Sequence, residues 1–296
     1  MIRRLILALA LLVAPASAQA YGFFTHEAIA RIALMNVRPE TARMVRAMLR
    51  GAPPLLQTPE CKVATPEQAA TWPDCVRNLG ERFSYSASWH YQNVDICKPF
   101  DLKAACKDGN CVSAQIERQV KLIQNRTVPA REKAMALVFL IHFVGDLHAP
   151  PHGGDRGDRG GNDVKASYGP VTARWLNLHS IWDSPLAERA VTTPPSPFRV
   201  YSPEERAALG SGTVEDWSRQ SWEASRDAAY ALALGDACGP KPTGPVTVSS
   251  QAIEKMVPVQ RLQIERAGLR LARMLDEAFD PANAFVPEKK PAYRGG

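Results

Sequence analysis

Residues 129–152 read PAREKAMALVFLIHFVGDLHAPPH, and the fold class turns on this stretch. It is long, apolar and of helical spacing, and Pro129 suits a first helical position. Pro150 and Pro151 then lead the chain out of the helix. Two polar residues interrupt the apolar run, His142 and Asp146. They are four apart, so their side chains share one face, one turn from each other. Most pairs of this kind are local hydrogen bonds at a helix surface. Here the neighbours are FLIHFVGDL, where an ionised carboxylate needs a strong partner to offset its desolvation, and a divalent cation is such a partner. His179 and Asp183, in LNLHSIWDSPL, repeat both the spacing and the apolar setting.

Helical spacing recurs on both sides. HEAIARIALMNV and ETARMVRAMLR open the chain after the first residues, with Pro39 between them and Gly51 as the expected stop. Further helices are expected around residues 68–79, in SAQIERQVKLIQ, in ARWLNLHSIWDSPLAERA, over 203–233, and over 251–279 despite Pro258. GGDRGDRGGND is Gly- and Asp-rich and reads as loop. Strand signals are sparse, with VKASYGPVTA the one candidate for a short ribbon. The fold class is therefore mainly α, with a single domain over residues 21–280 and a flexible tail over 281–296.

The 296 residues carry 22% charged side chains and no visible repeat, which excludes collagen, coiled coil and disorder. A formal net charge of +6 is too small to identify a partner. Residues 1–20 have Arg3 and Arg4, an apolar LILALALLVA and a small-residue ASAQA end, the three parts of a cleaved signal peptide. The apolar run is too short to span a bilayer. A secreted or periplasmic protein with no stable membrane association, acting as a monomer, is expected. Export places all six cysteines in an oxidising compartment, so disulfides are the default. Spacing alone does not choose the pairing, although Cys106 and Cys111 bracket a turn-forming Asp-Gly and make a natural short loop. Thiol ligation of zinc is the weaker reading, because no CxxC spacing occurs.

Histidine is scarce: His26, His90, His142, His148, His152 and His179 are all there are. His152 lies past the proline pair, where the chain can turn an imidazole back toward His142. Asp74 and Arg77 stand three apart in TWPDCVR, and His90 stands among aromatics in ASWHYQN. Imidazole and carboxylate without thiolate suit zinc in a hydrolytic site.

The runs YGFFTH, WPDCVR, WHYQN, FLIHFVGDLHAPPH, DRGGN and NLHSIWD resemble, in order and spacing, the zinc-dependent single-strand nucleases typified by nuclease S-one and nuclease P-one. The resemblance is strong over residues 21 to about 186; beyond that only length and helical character agree. It implies the helical fold of the phospholipase C and nuclease superfamily, with three zinc ions. Asp74, His90, His142 and Asp146 would hold one. The α-amine and carbonyl of Tyr21, with His26 and Asp146, would hold its neighbour. His152, His179 and Asp183 would hold the third, and His148 is left as a supporting or packed residue. The same comparison favours Cys106 with Cys111 and Cys97 with Cys238, and leaves Cys61 and Cys75 over, with an extra bridge between them open. Tyr21 replaces the family's usual Trp, Thr25 a common Gly, and HAPPH the usual HQPLH.

The implied reaction is cleavage of single-stranded DNA and RNA to 5′-nucleotides, with room for a 3′-nucleotidase activity. Asp74 would orient the attacking hydroxide and Arg77 would clamp a phosphate oxygen. Tyr91 would stack on an unpaired base, with Asn93 and Asn162 as polar contacts to it. Two rivals stand beside this reading. The related phospholipase C branch ends its third ligand pair with Glu, where this chain has Asp183. A zinc-binding protein without turnover would have no use for Arg77 and Tyr91 beside its ligands.

Overall fold

The structure, a computed structural model, describes residues 22–287. The signal segment, Tyr21 and the last part of the tail therefore lie outside the described residues. The longer helices are α1 (Phe23–Asn36), α2 (Pro39–Leu56), α3 (Pro66–Val76), α4 (Val112–Gln124) and α5 (Ala130–Leu147). They are followed by α6 (Pro185–Thr192), α7 (Pro203–Gly210), α8 (Val214–Ala224) and α9 (Ser250–Ala278). The fold is mainly α, as the sequence reading expected.

Helix α5 is the centre of the molecule. Its residues from Ala136 to Leu147 are all buried, because apolar side chains occupy every side of it. It packs against α2, α3 and α4, while α1 lies between α3 and α9. Gly268 leaves room for Ile32 where α1 meets α9. Truncating Phe139 or Phe143, both buried in this core, would cost ~3 kcal/mol or more. A second, smaller core gathers Trp182, Trp222, Tyr230 and Met256. The segments that carry His142 and His179 belong to different cores, so the region between them is where the two cores meet.

Several local expectations are corrected. Helix α2 does not stop at Gly51 but runs to Leu56 and ends at Gln57, whose φ of 53° is left-handed. A helical Gly costs only ~1 kcal/mol relative to Ala, and burial of Ala52 and Leu56 continues the apolar face past it. ARWLNLHSIWDSPLAERA is helical only from Leu178, and Ser184 (φ −124°, ψ −87°) divides it into Leu178–Asp183 and α6. The strand in VKASYGPVTA pairs chiefly with a distant partner: β3 (Ala166–Tyr168) lies parallel to β4 (Val246–Val248). A second small parallel pair joins β1 (Val94–Asp95) to β2 (Gly154–Asp155), inside the stretch expected to be loop. The disulfides are Cys61–Cys75, Cys97–Cys238 and Cys106–Cys111.

Candidate metal centre

Eight buried His and Asp side chains from separate segments converge where the two cores meet. Helix α1 brings His26, α3 brings Asp74, and the 3₁₀ turn Ala87–His90 ends in His90. Helix α5 carries His142 and Asp146. The short helix Pro150–Gly153 presents His152, and Leu178–Asp183 presents His179 and Asp183. Their donor atoms form three groups: His26–His142–Asp146, Asp74–His90–His142, and His152–His179–Asp183.

Asp146 is the hub. Its Oδ2 lies 2.9 Å from His90 Nδ1 and 3.0 Å from His142 Nε2, while Oδ1 lies 3.4 Å from His26 Nε2 and 3.6 Å from His152 Nδ1. The two oxygens of one carboxylate thus face different histidines. His90 Nδ1 lies 3.6 Å from Asp74 Oδ1, and His179 Nε2 lies 3.1 Å from Asp183 Oδ2. Gly145 makes the approach of α1 possible, because a Cβ there would stand 2.8 Å from His26 Nδ1.

The imidazoles are aimed by the backbone. His142 Nδ1 lies 2.6 Å from the carbonyl of Ala70, His152 Nδ1 2.7 Å from that of His90, and His179 Nδ1 2.8 Å from that of Gly160. A ring that donates through Nδ1 turns its Nε2 lone pair outward, as metal-binding histidines do. Gly160 owes its place to the loop after His152. Its N–H donates to Asp155, Gly161 N–H donates to Asp158, and Tyr230 donates to the same Asp158 oxygen at 2.5 Å. Gly160 has a φ of +64°, and a Cβ on it would overlap the Pro151 carbonyl.

Burial and mutual charge act oppositely on these groups. Burial lowers His26 to about 4 and His90 to about 3, which keeps both rings neutral. Burial also raises Asp74, to about 6, against the pull of His142 and Arg77. For Asp146 burial pushes upward too, but His142 and His152 outweigh it and hold the carboxyl well below its usual range. His179 is the reverse case, since burial lowers it and Asp183 outweighs burial.

These residues fit zinc. Both oxygens of Asp74, His90 Nε2, Asp146 Oδ1 and His152 Nε2 are buried without a hydrogen bond among the described residues, an arrangement costly unless something else is bound. Donors on a tetrahedral zinc are ~3.3 Å apart, close to the spacings around Asp146. The donor set is nitrogen and oxygen without sulfur.

A cavity of about 360 Å³ opens beside the donors, lined by His90, His152 and His179 and also by Arg77, Tyr91, Asn93 and Asn162. Arg77 is partly exposed and its Nη2 lies 3.3 Å from Asp74 Oδ1. Tyr91 is 39% exposed. Asn93 takes a left-handed φ of 49°. Asn162 spends its amide N–H on the Arg159 carbonyl at 2.9 Å, so part of its bonding capacity belongs to the loop. Arg159 and Pro151 also line the cavity, and neither was singled out from the sequence. For Arg159 the only sequence signal was its place in DRGDRGGND. Tyr21 lies outside the described residues, but Gly22, the next residue, donates its N–H to the Asp183 carbonyl at 2.7 Å.

A family model described as S1/P1 nuclease matches residues 21–280. Endonuclease 2 of Arabidopsis thaliana is 26% identical over 293 residues, covering 91% of this chain and 94% of that protein. Nuclease P1 of Penicillium citrinum is 25% identical over 175 residues, 58% of this chain and 60% of its own length. Nuclease S1 of Aspergillus oryzae is 26% identical over 176 residues, 57% and 55% respectively.

Proposed function

The chain belongs to the S1/P1 nuclease family, and from that premise we propose a secreted or periplasmic, monomeric, zinc-dependent phosphodiesterase that hydrolyses single-stranded DNA and RNA to 5′-nucleotides. The observation that carries this reading is the convergence of three donor groups beside one cavity that also presents Arg77 and Tyr91. Asp74, His90, His142 and Asp146 would hold one zinc, His26, Asp146 and the Tyr21 terminus a second, and His152, His179 and Asp183 a third. Zinc bound there supplies Lewis acidity, making hydroxide available near neutral pH and offsetting charge on the phosphate and the departing oxygen.

The chain's own groups do the positioning. Asp74 accepts a hydrogen bond from the attacking water and aims it at phosphorus. Arg77 donates to a non-bridging phosphate oxygen, where negative charge grows in the transition state. The new P–O bond forms in line with the P–O3′ bond that breaks. The electron pair leaves with O3′, which takes up a proton, and the phosphate stays on the 5′ carbon. Tyr91 offers its exposed ring to an unpaired base. A paired base would first have to leave its duplex, so single strands are preferred.

Three disulfides support an oxidising compartment. Among the described residues no helix is long and apolar enough to cross a membrane. Equal amounts of enzyme on single-stranded DNA, single-stranded RNA and phosphatidylcholine micelles test the reading. Hydrolysis of both nucleic acids to products with 5′ phosphates is expected. Turnover of the lipid alone would favour the phospholipase branch, and turnover of nothing a zinc-binding protein.

A further inference from the structure

A groove of about 1050 Å³, larger than the 360 Å³ cavity at the donors, has no role in the reaction as described. Tyr85 and Trp89 lie in it edge to face, with ring centroids 5.1 Å apart. Trp89 is backed by Phe139 at 5.6 Å, whereas Tyr85 is 48% exposed. The Arg118 guanidinium stands 5.4 Å above the Trp89 ring. Lys107 and Arg131 line the groove as well.

Burial raises the Tyr85 hydroxyl, and the positive charges of Arg118, Arg131 and Arg82 pull it back. None of these arginines, nor Lys107, makes an ion pair with a carboxylate among the described residues. Asp108 and Glu132 also line the groove, but the balance remains basic.

The groove is held ready. Arg131 Nε is fixed on the Leu55 carbonyl at 3.1 Å, and Arg82 on those of Gln57 and Leu56. The rim at 107–110 is closed by Cys106–Cys111 and tied to the opposite wall by Ser88 Oγ donating to Asn110 Oδ1 at 2.6 Å. The 3₁₀ turn Ala87–His90 connects the two sites. Trp89 lines the groove, and the next two residues, His90 and Tyr91, line the catalytic cavity.

A half-exposed Tyr85 ring and a partly buried Trp89 ring, beside cations without a carboxylate partner, match the two repeating features of a single-stranded nucleic acid, its base faces and its phosphates. We propose that the groove is a remote binding surface for the substrate strand, stacking bases on Tyr85 and Trp89 and holding phosphates at Arg118, Arg131 and Lys107. The identity of the strand rests on the nuclease reading. Long strands then bind through both sites, and a dinucleotide through the catalytic cavity alone.

The test uses the zinc-loaded protein and a variant combining Tyr85→Ala with Arg118→Ala, both exposed positions. Fluorescence anisotropy with a cleavage-resistant phosphorothioate strand of about 20 nucleotides should show affinity falling about tenfold. The KM for the unmodified strand should rise in parallel, while dinucleotide kinetics stay at the wild-type level. Unchanged affinity for the long strand overturns the proposal, as does an equal loss on the dinucleotide. A wild type that binds the strand through this groove yet hydrolyses no nucleic acid supports the surface and removes the nuclease reading instead.

Discussion

His148 Nε2 lies 2.8 Å from Nη1 of Arg270, and both side chains are buried. His148 donates through Nδ1 to the Val144 carbonyl at 2.7 Å, so its Nε2 carries the lone pair that accepts from the guanidinium. Arg270 also donates to Gln220 and stands 5.0 Å from the centre of the Trp217 ring. The one histidine outside the three donor groups thus ties α5 to α9 rather than facing the donors.

Removing that acceptor should affect stability and not metal. His148→Ala is expected to destabilise by ~2 kcal/mol, the scale of a buried hydrogen bond to a charged group, as read by denaturant unfolding. Its zinc content should equal that of the wild type. Asp146→Asn should lose zinc from the two proposed sites that share this carboxylate. Equal zinc loss in both variants would place His148 among the ligands.

Gly145→Ala separates helix propensity from site geometry. Ala favours the helix by ~1 kcal/mol over Gly, so propensity alone forecasts a more stable protein. The added methyl would stand 2.8 Å from His26 Nδ1, which forecasts a displaced His26 and reduced zinc occupancy. A more thermostable variant with full zinc would show that His26 has room to spare.

Arg77 and Tyr91 should divide chemistry from binding. Arg77→Ala is expected to lower kcat about a hundredfold, because the lost contact strengthens only as charge develops. Tyr91→Ala is expected to raise KM for oligonucleotides about tenfold, the value of one stacked base. Wild-type turnover by Arg77→Ala at saturating substrate would remove the phosphate clamp.

Gly22 is held against the Asp183 carbonyl by a 2.7 Å hydrogen bond, so a protein cut after Ala20 would begin next to the donors. A protein that keeps Gln19 and Ala20 has a planar amide nitrogen at Tyr21 in place of an amine. It should bind less zinc and cleave more slowly than one that begins at Tyr21. Terminal sequencing with metal analysis of both forms checks this, and full zinc and full activity in the longer form would contradict it.

The sequence was most legible where one local period carried the information. Helix α5 and the spacing of His142 from Asp146 needed only the 3.6-residue repeat. The end of α2 did not, because burial of Ala52 and Leu56 against other helices decided it. Nor did the parallel pairing of β3 with β4, whose partners are about eighty residues apart. Grouping the ligands rested on resemblance to a family, since nothing local says that His90 meets Asp146. Gly145 and Gly160 looked like ordinary glycines, and their roles depend on His26 and Pro151, neighbours only in space.

The dependence on zinc is tested most directly by stripping all metal with a chelator, verifying its removal, and returning zinc in stoichiometric steps while cleavage of a single-stranded oligonucleotide is followed. The stripped protein should be inactive, with the full rate returning only as all three donor groups fill. A verified metal-free chain that cleaves at the full rate would contradict the assignment.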